Sequence, residues 1–154
     1  MNDTSGIRYA HTNLIARDWR KLADFYQQVL GCVPVGTERN HHGAHIDALT
    51  NMTGVRVRGQ HLRLPGHGEN GPTIEIFQYE PAGPENIQAL DKPGFAHLAF
   101  EVPDVVAKRQ EIHQWGGRDV GQLVTFDIAG AGRLQVIYVS DPEGNILELQ
   151  HWQR

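Results

Sequence analysis

The chain repeats itself once, and that repeat limits the folds open to it. Tyr9-Ala10-His11 opens the first half and Phe95-Ala96-His97 opens the second. Thr73-Ile74-Glu75-Ile76-Phe77 closes the first half and Ile146-Leu147-Glu148-Leu149 closes the second. An offset of 86 maps Tyr9 onto Phe95, His11 onto His97, Asp18 onto Asp104 and Gly31 onto Gly117. An offset of 73 maps Glu75 onto Glu148, so the second half is 13 residues shorter between its helix and its last strand. Added length of that kind is tolerated best in loops. The period is too long and the copies too few for a solenoid, which leaves a duplicated supersecondary unit.

Each copy reads as a strand, a helix and then three strands. Ile7 to Ile15 alternates, so Ile7, Tyr9, His11 and Asn13 share one face. Asp18 is a helix N-cap, Trp19, Leu22, Ala23, Tyr26, Val29 and Leu30 form an apolar stripe at helical spacing, and Gly31 stops the helix. Val33 to Val35 begins a strand, and Thr37 to Asn51 is open between loop and strand. Val55 to Arg58 and His61 to Leu64 read as separate strands, Pro65 to Pro72 as a loop, and Thr73 to Tyr79 as a strand. In the second half Ala96 to Val102 is a strand, and Pro103-Asp104 opens a helix that runs to Trp115. Leu123 to Ile128, Leu134 to Val139 and Ile146 to Gln150 are the last three strands. Asp141-Pro142-Glu143-Gly144-Asn145 is a tight turn, with Pro and Gly fixing its torsions. The expected organisation is one domain over residues 1–154, with modules at about 5–80 and 94–152 and a proline-rich linker at 81–93.

A length of 154 residues, 40% hydrophobic and 21% charged, is that of an ordinary globular domain able to bury a core. The formal net charge of −4 argues against a nucleic-acid partner, which needs a basic face. Cys32 is the single cysteine, so no internal disulfide forms, which suits a reducing compartment. Met1 to Gly6 lacks the pattern of a signal peptide, and no apolar run is long enough to span a membrane. The expected location is cytoplasmic.

The chemistry lies in the repeated residues. His11 and His97 sit on the first strand of each copy, and Glu75 and Glu148 on the last. Taken singly, either His is more often a hydrogen-bonded core or surface residue, and either Glu a solvent-facing strand carboxylate. Their recurrence at equivalent places favours a shared role. If a twofold rotation relates the copies, the two carboxylates face each other and repel unless a proton or cation lies between them. A divalent metal held by His11, Glu75, His97 and Glu148 resolves this with a mixed N/O ligand set.

These pieces resemble the vicinal oxygen chelate superfamily, also called the glyoxalase/bleomycin resistance protein/dioxygenase superfamily. The resemblance covers Tyr9-Ala10-His11, the Asp18 to Gly31 helix, Thr73-Ile74-Glu75, Gly94 to Phe100 and the run Asp141 to Leu149. It implies an α+β fold of two tandem βαβββ modules forming a cupped mixed sheet around a central metal site. It also implies a divalent ion (Zn, Ni, Co, Mn or Fe) that stabilises an enediolate or related oxyanion. Glyoxalase I resembles the chain at all four positions, and methylmalonyl-CoA epimerase is similar with an amide at the place of Glu75. The resemblance therefore points to a lyase or isomerase that shifts a proton, with Glu148 and Glu75 as catalytic residues. The epimerase base has no carboxylate equivalent in Gln60 to Leu64, where His61 is the candidate substitute.

Extradiol dioxygenases and fosfomycin-modifying enzymes resemble the chain through His11, His97 and Glu148 only, and bleomycin-binding relatives lack the ligand set. The expected substrate is a small molecule, such as a thioester or glutathione adduct, and the expected assembly a homodimer, with ligands from one chain or from a swapped pair. Arg39, Arg56, Arg58 and Arg63 are candidates to meet an anionic group, or are exposed strand residues. His41, His42 and His45 could hold a second metal or line an exposed loop. Ala129 to Arg133 reads as a lid or a simple hairpin. Phe77, Phe95 and Trp115 read as packing residues.

Overall fold

The computed structural model describes residues 6–154. The expectations for Met1 to Ser5 lie outside the described residues. The chain divides into two compact units, one ending at Gly83 and the other beginning at Pro84.

The first unit contains β1 (His11–Ile15), α1 (Trp19–Gln28), β2 (Val33–His42), α2 (Ala44–Thr50), β3 (Arg56–Arg63) and β4 (Thr73–Glu80). Its four strands make one mixed sheet in the order β1-β4-β3-β2, with β1 parallel to β4 and the other pairs antiparallel. Asp18 caps α1 by accepting from the Lys21 backbone N–H at 3.2 Å. Gly31 takes a positive φ of 71°, which lets the Cys32 N–H return to the Tyr26 carbonyl and close the helix. The apolar stripe of α1 (Trp19, Leu22, Ala23, Phe25, Tyr26) is buried on one face of β3 and β4. Leu62, Ile74 and Ile76 answer it and are fully buried. Burying side chains of this size stabilises by roughly 1.5–3 kcal/mol each. Because strand side chains alternate, the same burial turns His61 and Glu75 to the opposite face.

The second unit contains β5 (His97–Glu101), α3 (Val105–Gln114), β6 (Arg118–Asp119), β7 (Val124–Ile128), β8 (Gly132–Ser140) and β9 (Ile146–Gln153). Its sheet order is β5-β9-β8-β6, with β7 also paired to β8. β6 and β7 together occupy the place that β2 holds in the first unit. Val105 and Ile112 of α3 are buried with Ile137, Val139, Leu147 and Leu149 of β8 and β9. Gly117 is required where the chain leaves α3, since a Cβ there would lie 2.3 Å from the Ser140 carbonyl oxygen.

The α+β class and the two βαβββ modules agree with expectation. The strands form two hydrogen-bonded mixed sheets, one in each module. Other details differ for identifiable reasons. β1 begins at His11 rather than Ile7, because its ladder partner begins at Thr73. The two expected strands over 55–64 are one, since Gly59 and Gln60 stay in register with Phe77 and Ile76. Thr37 to Asn51 resolves into the end of β2 and the short helix α2. β9 runs three residues past Gln150 because β8 extends to Gly132 beside it. The 13 extra residues of the first half fall in two places. His61 and Tyr138 both stand opposite the repeated Glu of their unit, an offset of 77, so nine extra residues precede β3, where α2 lies. The remaining four lengthen the β3–β4 loop.

Candidate metal centre

Three neighbouring strands of the first unit bring His11, Glu75 and His61 together. Glu75 stands opposite Asn13 on β1 and opposite His61 on β3. The His11 Nε2 lies 2.9 Å from Glu75 Oε1, and the His61 Nε2 lies 2.7 Å from Glu75 Oε2. Asn13 Nδ2 donates to Oε1 at 3.3 Å. One nitrogen or oxygen from each of His11, His61 and Glu75 falls within 4.8 Å of the other two. Among the described residues, this is the only group of three or more such donors.

The surroundings suit a cation. The His61 Nδ1 is 3.4 Å from the Thr73 hydroxyl, which leaves Nε2 to face Glu75. Burial pushes the His61 imidazole below its ordinary value, against the opposing pull of Glu75, with Arg39, His11 and His41 adding to the lowering. A neutral imidazole is the form that ligates a metal. The ring of His61 meets His11 edge-on at 5.6 Å and Phe77 at 5.8 Å, which limits its rotation. The Glu75 side chain is only 13% exposed, so its charge is held by the two imidazoles and Asn13 rather than by bulk water. Two imidazoles and a carboxylate are a donor set that divalent transition metals accept. On this chemistry the residues fit the ion that the sequence implied.

A cleft of about 650 Å³ opens over the cluster. Its floor is His11, Asn13, His61 and Glu75, and its wall is Ile46, Leu49 and Met52, from α2 and the residues after it, beside Phe77 and Tyr79. Leu49 and Met52 are exposed, so this wall offers apolar surface to an occupant. The β2 side of the sheet is kept in place by Gln60, whose buried amide donates to the Val35 and Gly36 carbonyls where β2 bulges.

In the second unit His97 and Glu148 also meet, with Nε2 3.1 Å from Oε2. Tyr138 stands opposite Glu148 in the β8–β9 ladder, as His61 stands opposite Glu75. Its ring lies 5.0 Å from that of His97, and its hydroxyl is hydrogen-bonded to Glu148. Burial, then the Glu148 charge and that hydrogen bond, raise the phenol above its ordinary value. The turn before β9 is fixed by Asp141, which accepts from the Glu143 and Asn145 backbone N–H groups and from the Asn145 side chain.

The structure thus pairs His11 with Glu75 and His97 with Glu148, each within its own unit. The additional members are His61, which the sequence offered only as a substitute base, and Tyr138, which it did not single out. Their positions between buried apolar neighbours (Leu62 beside His61; Ile137 and Val139 beside Tyr138) signal the facing, but not the register. Arg58 is paired with Glu80 and Arg56 with Asn40, so neither is a free anion receptor. His41 lines the cleft, while His42 and His45 join no three-donor group among the described residues. Ala129 to Ala131 form the turn between β7 and β8. Phe95 is fully exposed and Trp115 partly so, contrary to a packing role, while Phe77 lies against His61. No helix among the described residues is long and apolar enough to cross a membrane.

Comparison with known proteins agrees with this architecture. No curated protein matches the chain significantly. Among solved structures, a glyoxalase family protein from Bacillus cereus is 16% identical with a TM-score of 0.84, covering 100% of this chain and 99% of that one. A fosfomycin resistance protein from Listeria monocytogenes is 16% identical with a TM-score of 0.58, covering 96% and 93%. A glyoxylase/bleomycin resistance protein/dioxygenase domain from Frankia is 18% identical with a TM-score of 0.57, covering 97% and 93%. At these identities the likeness is one of fold. The family model for the glyoxalase/bleomycin resistance protein/dioxygenase superfamily matches residues 8–149. The chain belongs to that superfamily.

Proposed function

We propose that the protein is a divalent-metal-dependent enzyme of the glyoxalase I type, which shifts a proton at carbon next to a carbonyl. The reaction is lactoylglutathione lyase-like or methylmalonyl-CoA epimerase-like. The observation that carries this reading is Glu75, a second carboxylate clasped by two imidazoles at 2.9 and 2.7 Å. The ligands are His11, Glu75, His97 and Glu148, the latter two from this chain or from a second copy in a homodimer. When bound, the ion supplies Lewis-acid polarisation of a substrate carbonyl.

The protein's own groups do the rest. Glu148 or Glu75 takes the α-proton onto a carboxylate oxygen, and the same or the opposite Glu returns it to carbon. His97 and Tyr138 orient Glu148, and His11, His61 and Asn13 orient Glu75. Ile46, Leu49 and Met52 shield the cleft on one side and receive the apolar part of a small substrate such as a thioester or glutathione adduct.

The experiment is metal analysis with turnover of methylglyoxal–glutathione hemithioacetal and methylmalonyl-CoA by the wild type, Glu75→Gln and Glu148→Gln. The expected result is bound metal and proton exchange in the wild type, with at least one variant inactive. Full activity in both variants refutes the reading. One observation favours a second reading: His11, His61 and Glu75 make two imidazoles and one carboxylate, a set that also serves oxygen-activating iron. Oxygen uptake with a catechol, and no proton exchange, would select that dioxygenase class.

A further inference from the structure

We infer that Arg39 receives a carboxylate of the substrate beside the candidate metal centre, so that the substrate is a carbonyl compound bearing an acid group close to its reacting carbon. This rests on the reading above for the carbonyl at the centre, and it adds the group that selects the substrate.

Arg39 belongs to the face of the sheet that carries His61 and Glu75. It pairs with Gly59 of β3, which pairs with Phe77 of β4, and His61 and Glu75 lie two residues further along those strands. Directly opposed residues share a face, and the diagonal neighbour is roughly 7–8 Å away. His61 is that diagonal neighbour, and the Arg39 charge is among those felt by its imidazole. His41, one alternation along β2, lines the cleft. Between Arg39 and Phe77 the sheet carries only Gly59, where a Cβ would lie 2.5 Å from Phe77 Cδ1. The Phe77 ring therefore leans over this rung and gives it an apolar floor. A cation beside such a floor attracts an anion more strongly than one in open water.

The guanidinium is held in place and is not neutralised. Arg39 is the single residue of β2 that is not exposed. Its head rests on the β2 bulge, since a Cβ at Gly36 would lie 3.3 Å from Nη1 and 3.5 Å from Nη2, and Nη1 donates to the Thr37 carbonyl. Gln60 fixes that bulge through the Val35 and Gly36 carbonyls. The Nε–Nη2 edge is left for a planar anion, the same edge with which Arg109 clasps Asp119. Among the described residues no carboxylate forms an ion pair with Arg39. Its neighbour Glu38 is held by Arg20 of α1, and Glu75 by His11 and His61. A half-buried cation without a counter-charge is costly, and an anionic ligand removes that cost. One planar edge carrying one positive charge matches a carboxylate.

The test is calorimetric titration of the full chain, loaded with Co²⁺, with the malonyl and acetyl thioesters of N-acetylcysteamine, which differ by one carboxylate. The wild type is expected to bind the malonyl thioester about tenfold or more tightly than the acetyl one. Arg39→Met is expected to erase that preference while leaving Co²⁺ content and acetyl affinity unchanged, and Arg39→Lys to restore it in part. Arg39→Gln serves if the Met variant does not fold by circular dichroism. A malonyl preference that survives loss of the guanidinium overturns the inference, because the carboxylate is then held by the ion or elsewhere. So does a wild type that shows no preference or binds neither thioester. These outcomes leave the functional reading intact, since it is judged by proton exchange. A wild type that holds no Co²⁺ refutes the functional reading, and the same titration of the metal-free chain then decides the role of Arg39.

Discussion

Replacing Gly59 by alanine tests how closely β3 and β4 are held beside His61 and Glu75. Gly59 pairs with Phe77, and two residues further along each strand lie His61 and Glu75. A Cβ at Gly59 would lie 2.0 Å from the Ile76 carbonyl oxygen and 2.5 Å from Phe77 Cδ1. The carbonyl is backbone inside a ladder, so it cannot rotate away as a side-chain tip would. Relief needs the strands to part by about 1 Å, while ladder spacing allows only a few tenths. Losing two or three ladder hydrogen bonds at about 1 kcal/mol each, with overpacking strain of about 1–2 kcal/mol, gives a destabilisation of roughly 3–5 kcal/mol. For a chain of this size that corresponds to a fall in Tm of roughly 6–20 °C. The assay is thermal unfolding followed by circular dichroism, with Gly83→Ala as the control. A Cβ at Gly83 meets nothing within 4 Å, and this variant is expected to unfold within about 2 °C of wild type. A Gly59→Ala protein with unchanged Tm would refute the reasoning, because it would show that the strands are not held as close as the structure places them.

Three further outcomes follow from described contacts. Asp141→Ala removes three accepted hydrogen bonds from a carboxylate that is 1% exposed, and is expected to cost about 2–4 kcal/mol in urea unfolding, with faster amide exchange at Asn145. Asp119 is held below its ordinary carboxylate value chiefly by Arg109, with burial opposing and His113 assisting. A depressed pKa stabilises the fold above the ordinary carboxylate range and loses that effect as pH falls through the folded value. Asp119→Asn should therefore destabilise at pH 7, with the cost shrinking as pH falls through the lowered value of the folded carboxyl, and a cost independent of pH would contradict the assignment. Burial pushes the Cys32 thiol up to about 12, so it should resist a thiol reagent at pH 8 until urea unfolds the chain.

The sequence made some features of the site readable and withheld others, and the difference is physical. Glu75 between Ile74 and Ile76, and Glu148 between Leu147 and Leu149, could be placed on the face away from the core, because alternation depends only on nearest neighbours. Asp18 and Asp104 marked both helix starts, because a cap is a local hydrogen bond. The partnership of His61 with Glu75 depends instead on antiparallel register across a nine-residue loop, and a slip of one residue would have turned His61 inward. Tyr138 was hidden for the same reason. α2 is seven residues long, too short for a helical period to emerge, and it starts at Gly43 without a side-chain cap. The cleft wall was therefore the least legible part of the site.

That wall is inserted between two positions that are already neighbours. His42 at the end of β2 pairs with Arg56 at the start of β3, so the intervening segment leaves and re-enters the sheet at one rung. A short hairpin turn could bridge the same rung without disturbing β1, β4 or the residues on them. The cleft wall and the candidate ligands thus lie on separable stretches of chain. A deletion or exchange of residues 43–55 would alter what the cleft admits while leaving His11, His61 and Glu75 in place. Loop grafting at that rung would therefore reshape the cleft wall without rebuilding the three-donor cluster.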